Sequence, residues 1–161
     1  MIHNKRAYVD RFGGVYEHSP WVAEQAFDMG PPDPMKLPEI MRQIVEDAGE
    51  DAQLTLLRAH PDLAGKLAKS GALTDESTSE QASAGLDQCT EEEFTAFTTL
   101  NDRYKTHFGF PYILAVRGRH RTEILENFRA RVDNTPELEF RTALDQVHQI
   151  AALRFEALFK G

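Results

Sequence analysis

The chain has a single cysteine, Cys89, and one thiol closes no disulfide within the chain. That scarcity suits a reducing compartment. Cys89 is also badly placed for a nucleophile, because Gln88-Cys89-Thr90 reads as a helix junction with no base beside it. Positive charge is short as well. Only 18 Lys and Arg stand against 26 Asp and Glu, a formal net charge of −8 over 161 residues. A chain of that sign is repelled by nucleic acid and by anionic membrane surfaces, so neither is an expected partner. Arg117, Arg119 and Arg121 come nearest to a basic run and read as a solvated loop. No apolar stretch approaches the length of a membrane span. Met1-Ile2-His3-Asn4-Lys5-Arg6 lacks the apolar run of a secretory signal, and Phe159-Lys160-Gly161 is not the peroxisomal Ser-Lys-Leu. The expected location is the cytoplasm. His-Glu-x-x-His and closely spaced Cys/His sets are missing, which argues against a dedicated metal site. Gly13-Gly14 and Gly118 make no phosphate loop, and the dinucleotide fingerprint is absent.

What the chain does have is apolar residues at helical spacing. With 41% hydrophobic and 27% charged residues it can build one real core, and its length fits one domain. Ser19-Pro20 reads as an N-cap followed by proline at the first helical position, opening a short helix from Trp21 to Met29 that Gly30-Pro31-Pro32 stops. Asp33-Pro34 can start the next, whose apolar positions Ile40, Met41, Ile44, Val45 and Ala48 run to a stop at Gly49. Leu54 and Leu57 belong to a further helix that breaks near His60, because Pro61 follows. Thr74-Asp75 opens a helix to about Leu86. Thr90 and Glu93 spell a capping box ahead of Phe94, Phe97, Leu100, Tyr104 and Phe108, with Gly109 as the stop. Arg121 to Val132 makes another helix, and Thr135-Pro136 starts the last. Phe110-Pro111-Tyr112-Ile113-Leu114-Ala115-Val116 breaks the pattern. It looks like a strand without a partner, and we read it as an extended, mostly buried segment between helices whose unpaired amides are available to a ligand. The expected fold is an all-α single-domain helical bundle of about seven to nine helices with one extended segment near residues 110–116.

Three groups stand out chemically. On the last helix Phe140, Leu144, Val147, Ala151, Arg154 and Leu158 share a three-four spacing, so Arg154 lies on an apolar stripe and needs an anion. That anion is a structural carboxylate or a bound substrate's carboxylate, gripped in bidentate fashion; the alternative is snorkelling to water. In an acidic chain, a substrate anion needs just such a placed cation. Ser77, Glu80, Gln81 and Ala84 share one helix face, which presents a hydroxyl, a carboxylate and a carboxamide together, or is simply a polar surface. His60 precedes Pro61, which forces it out of the helical region onto a rigid corner; its imidazole suits proton transfer near neutrality, unless His-Pro-Asp is merely a helix break. The other five histidines lie on helices or near ends and loops.

Taken in order, Arg58-Ala59-His60-Pro61-Asp62-Leu63, Leu73-Thr74, Ser77, Glu80-Gln81 and Ala84-Gly85-Leu86 form one run of motifs. Asn101-x-x-Tyr104-x-x-x-Phe108-Gly109-Phe110-Pro111-Tyr112, Val116-Arg117-Gly118, Ile124-Leu125, Arg129-x-x-x-Asp133-Asn134 and Ile150-x-x-Leu153-Arg154 complete it. The ordered set resembles the OHCU decarboxylase family, 2-oxo-4-hydroxy-4-carboxy-5-ureidoimidazoline decarboxylases of urate breakdown, over nearly the whole chain. The resemblance implies an all-helical fold and a cofactor-free decarboxylation giving (S)-allantoin. It implies His60 as the catalytic histidine assisted by Glu80. Pro61, Ser77, Gln81 and Arg154 would bind substrate, and the backbone of Tyr112, Ile113, Leu114, Ala115 and Val116 would hold a ring carbonyl. It also implies a small-molecule substrate and a homodimer. Two rivals remain open on the residues alone. One is a hydrolase of a ureido or imidazoline ring, with His60 and Glu80 activating water. The other is a non-catalytic helical module that binds an anion or a protein.

Overall fold

Thr90 shows how closely local chemistry sets this fold. Its hydroxyl accepts from the Glu93 amide at 3.1 Å while the Glu93 carboxylate accepts from the Thr90 amide at 2.8 Å. Two orphan donors are thus satisfied at the start of an 18-residue helix, Glu91–Phe108. That helix ends where Gly109 takes a left-handed conformation (φ 80°) and returns its N–H to the Lys105 carbonyl.

The computed structural model describes residues 4–30, 33–64 and 73–160. Among these there are eight α-helices and no strand: α1 Lys5–Phe12, α2 Trp21–Asp28, α3 Leu37–Asp47, α4 Glu50–Arg58, α5 Asp75–Ser83, α6 Glu91–Phe108, α7 Arg121–Arg131 and α8 Pro136–Lys160. A short 3-10 turn spans Leu86–Gln88. The all-α expectation holds, and residues 111–116 join neither helix nor sheet while being buried throughout. None of the described helices is long and apolar enough to cross a membrane.

Several boundaries differ from expectation, each for a local reason. Helix α1 was not anticipated. Asn4 caps it, its side chain accepting from the amides of Arg6 and Ala7, and Tyr8 and Phe12, one turn apart, are its buried face. Ser19 does not cap α2. Its hydroxyl donates to the Glu17 carbonyl at 2.9 Å, and Pro20 takes the cap position. The Asp33 carboxylate accepts from the Met35 amide in a turn, so α3 begins only at Leu37. Gly49 (φ 92°) opens α4 rather than closing α3. Helix α5 stops at Ser83 instead of Leu86, because Gly85 is left-handed (φ 77°) and the Ala84 carbonyl is taken by the Arg121 amide at 3.0 Å. A Cβ at Gly85 would lie 3.0 Å from the Arg121 guanidinium. Pro31 and Pro32 lie outside the described residues.

The chain forms two compact units, one of residues 1–59 with 147–161 and one of residues 60–146. The first is built from α1–α4 and the C-terminal part of α8. Tyr8, Phe12, Tyr16, Met41, Leu56, Leu57 and Phe155 are in its core, with Phe12 and Phe155 rings 6.3 Å apart. The second centres on Tyr104, which packs edge-on against Phe110, Tyr112 and Phe128. Tyr112 lies flat on Phe128, ring centroids 3.8 Å apart. Burying a large side chain of this kind contributes about 1.5–3 kcal/mol, so these aromatics dominate what holds residues 110–116 in place.

Candidate active site

His60 follows α4 at a bend, 8% exposed, where Pro61 denies it helical geometry. The four residues after it are clamped by two helices. From α5, the Gln81 carboxamide accepts from the Ala64 amide at 3.0 Å and donates to the Asp62 carbonyl at 3.3 Å. From α6, the Asn101 side-chain carboxamide donates to the Leu63 carbonyl at 3.1 Å, and Lys105 pairs with the Asp62 carboxylate at 2.8 Å. A histidine next to a segment held at three backbone points and one side chain sits on a fixed support, which a proton-transfer group requires.

Helix α5 carries the expected face. Thr74 caps it by accepting from the Ser77 amide. Ser77, Gln81 and Ala84 are buried, and Glu80 is half-buried one residue before Gln81. Both ends of the Gln81 carboxamide are engaged on the His60 loop, so its first task here is to hold that loop.

Residues 112–116 form the third part. The Ile113 carbonyl accepts from Arg131 Nη1 at 2.7 Å, and the Ala115 amide donates to Gln146 Oε1 at 2.9 Å. The Val116 carbonyl accepts from the Arg119 amide. The Tyr112 hydroxyl donates to Asn127, and burial pushes that phenol well above its ordinary range, so it stays a donor. The amides of Ile113, Leu114 and Val116 find no acceptor among the described residues. Buried N–H groups left without acceptors are costly, and they form the kind of donor set that suits a ligand oxygen.

His60, Pro61, Ser77, Glu80, Gln81 and Tyr112 to Val116 all belong to the unit of residues 60–146. Arg154 belongs to the other unit. Its guanidinium pairs with the buried Glu17 carboxylate at 3.0 Å and donates to the Gly14 carbonyl at 2.9 Å. The anion demanded by its place on an apolar stripe is therefore at least in part a protein carboxylate. Cys89 is half-buried, and burial pushes its thiol above the ordinary value, which leaves it a poor nucleophile. Among the described residues no group of three or more His, Cys, Asp or Glu side chains stands together as a metal site.

Sequence reasoning passed over Arg131 and Glu139. Glu139 is fully buried and Arg131 6% exposed, with Arg131 Nε 2.8 Å from the carboxylate. Their signal was the one that singled out Arg154, a charge on an apolar stripe: Arg131 continues Ile124 and Phe128 at helical spacing.

A family model described as OHCU decarboxylase matches residues 3–156. The chain belongs to the OHCU decarboxylase family. Among curated relatives, the 2-oxo-4-hydroxy-4-carboxy-5-ureidoimidazoline decarboxylase of Haloferax volcanii is 45% identical over 156 residues, covering 96% of this chain and 90% of that protein. Among solved structures, a crystal structure of (S)-allantoin synthase superposes with a TM-score of 0.74 at 33% identity. That match covers 96% of this chain and 50% of the other, so this chain spans half the length of that protein. A crystal structure of OHCU decarboxylase in the presence of (S)-allantoin gives a TM-score of 0.72 at 25% identity, covering 88% of this chain and 92% of that one.

Proposed function

We propose that this OHCU decarboxylase family member removes carbon dioxide from 2-oxo-4-hydroxy-4-carboxy-5-ureidoimidazoline and delivers (S)-allantoin in urate degradation. Family membership across residues 3–156 is the observation that carries the reading. The site geometry supplies a chemistry that fits it.

The bond to the departing carboxylate breaks, and its electron pair passes into the unsaturated ring, where the 2-oxo oxygen gathers negative charge. The ring hydroxyl gives up its proton and becomes a carbonyl of the product. A proton arrives on the carbon that bears the ureido group, and delivery to one face sets the (S) centre. Net, one proton is consumed for each carbon dioxide released. His60, with Glu80 assisting, moves these protons. The backbone amides of residues 112–116 hold the ring oxygen and stabilise its growing charge. Pro61, Ser77 and Gln81 contact the substrate, and Gln81 also holds the His60 loop. The grip of Arg154 on a substrate carboxylate completes the proposal. The neighbouring unsaturation serves as the electron sink, so no cofactor is assigned. A homodimer in the cytoplasm belongs to the same proposal; the single cysteine and acidic composition support the location, and light scattering in solution tests the assembly.

His60→Ala is expected to abolish enzymatic acceleration while circular dichroism keeps its helical signature. The readout is the chirality of allantoin formed from urate with upstream enzymes, with and without this chain. Full activity in the variant would remove His60 from the mechanism, and racemic allantoin from the wild type would remove the reaction.

A further inference from the structure

Arg131, Glu139 and Tyr104 form a buried network behind residues 112–116. Arg131 Nε donates to Glu139 Oε1 at 2.8 Å, the Tyr104 hydroxyl donates to the same oxygen at 2.7 Å, and Asn134 donates to Oε2 at 3.3 Å. Burial pushes the Tyr104 phenol far above its ordinary range, so it remains a donor to the carboxylate. The guanidinium carbon lies 4.5 Å from the Tyr112 ring centroid. Arg131 Nη1 then donates to the Ile113 carbonyl at 2.7 Å, the short distance of a charge-assisted bond.

That carbonyl shares one peptide unit with the Leu114 amide. Among the described residues every peptide bond is trans, so the Ile113 C=O and the Leu114 N–H point in opposite directions in one plane. A cation on the oxygen draws electron density through the amide resonance and makes the N–H a stronger donor, as chained hydrogen bonds polarise one another in a low-dielectric interior. The Leu114 N–H also has no acceptor among the described residues. The donor is strengthened from one side and has no acceptor on the other among the described residues.

We propose that Arg131 is a positioning residue for the reaction. Held by Glu139 and Tyr104, it fixes the Ile113–Leu114 peptide and raises the donor strength of the Leu114 amide toward the oxygen on which charge develops. This rests on the assignment of residues 112–116 to the ring oxygen given above. Arg131 does not touch substrate; it acts through the peptide. The benefit grows with the charge on the acceptor, so it appears in kcat more than in KM.

The test is the double variant Arg131→Gln with Glu139→Gln, which keeps neutral hydrogen-bonding groups in place of both charges. The kcat is expected to fall roughly tenfold, less than the ~100–1000-fold of deleting an oxyanion donor outright, with KM nearly unchanged. The Leu114 amide proton in the ligand-free protein is expected to move upfield by NMR. Arg131→Lys, which returns a cation to the carbonyl, is expected to recover most of both. Should the double variant not fold, the triple Arg131→Met, Glu139→Leu and Tyr104→Phe removes both charges and the hydroxyl together, a replacement buried pairs tolerate. The same two readouts then decide. A folded variant with wild-type kcat and an unmoved Leu114 amide would overturn the proposal. Failure of the underlying assignment looks different: the Leu114 amide would still move upfield in the folded variant, which shows the polarisation, while kcat stayed at the wild-type value because that amide does not meet the charged oxygen.

Discussion

Two arginines in this chain solve one problem with the same pieces. Arg131 and Arg154 each lie on an apolar helix stripe, each is buried, and each pairs with a buried carboxylate and a backbone carbonyl. What they hold differs. Arg154 and Glu17 tie the end of the chain to the loop after α1, through Gly14. Arg131 and Glu139 tie α7 and α8 to a segment in which the Ile113, Leu114 and Val116 amides lack acceptors among the described residues. A buried guanidinium with a carboxylate is therefore ambiguous in sequence between clamp and ligand site. The deciding feature is the peptide that receives its second hydrogen bond.

Removing one partner of either pair should give the largest stability loss. Arg131→Met leaves Glu139 as an uncompensated buried carboxylate, costing about 3–5 kcal/mol in urea unfolding, and Arg154→Met removes a buried cationic partner of Glu17, with a loss in the same direction. Adding Glu139→Leu or Glu17→Leu is expected to restore most of that loss, since an apolar pair of similar volume is often neutral. If the second substitution restored nothing, the pairs would owe their place to something other than charge compensation.

The comparison sharpens in the folded double variants. If Arg154 grips a substrate carboxylate as proposed, Arg154→Met with Glu17→Leu raises KM about tenfold, equivalent to roughly 1.4 kcal/mol of lost binding. The Arg131 and Glu139 substitutions act mainly on kcat. A KM unchanged by loss of Arg154 would make it a purely structural clamp, and the likeness between the two arginines would extend only to folding.

What could be read in advance follows the range of each interaction. The Thr90–Glu93 box and the Gly109 stop appear as written, because both close within four or five residues. The corner at His60 was legible because Pro61 is its neighbour. Helix α1 went unread although Asn4, Tyr8 and Phe12 carry its cap and face, since eight residues give a weak period. The overrun of α5 past Ser83 has a longer-range cause: the Ala84 carbonyl is claimed by Arg121, 37 positions on. In the site, the shared helix face of Ser77 and Gln81 was visible, but not that it is buried, nor that Gln81 would spend its carboxamide on Asp62 and Ala64. The partners of Arg154 and Arg131 lie 137 and 8 residues away. The stripe shows that each needs an anion, and only the fold says which.

Arg121 offers the gentlest version of the same design. Its Nε meets Glu93 at 2.8 Å and its Nη1 reaches the Gly85 carbonyl at 3.5 Å, but both side chains keep partial contact with water. Screening makes such a pair worth less than either buried one, so Arg121→Met is expected to show the smallest stability loss of the three. It also carries a pH signature. The Thr90 backbone hydrogen bond first, and then Arg121, hold the Glu93 carboxyl below its ordinary value. A carboxyl depressed in the folded state stabilises fully above its unfolded value and loses that contribution as pH falls through the lower folded one. The stability gap between wild type and Arg121→Met, measured by urea unfolding, is therefore constant near neutrality and closes as the solution is acidified below the ordinary glutamate range of about 4.3. A gap independent of pH would mean that Arg121 acts through Gly85 and the turn after α5 rather than through Glu93, and would set it apart from the other two arginines.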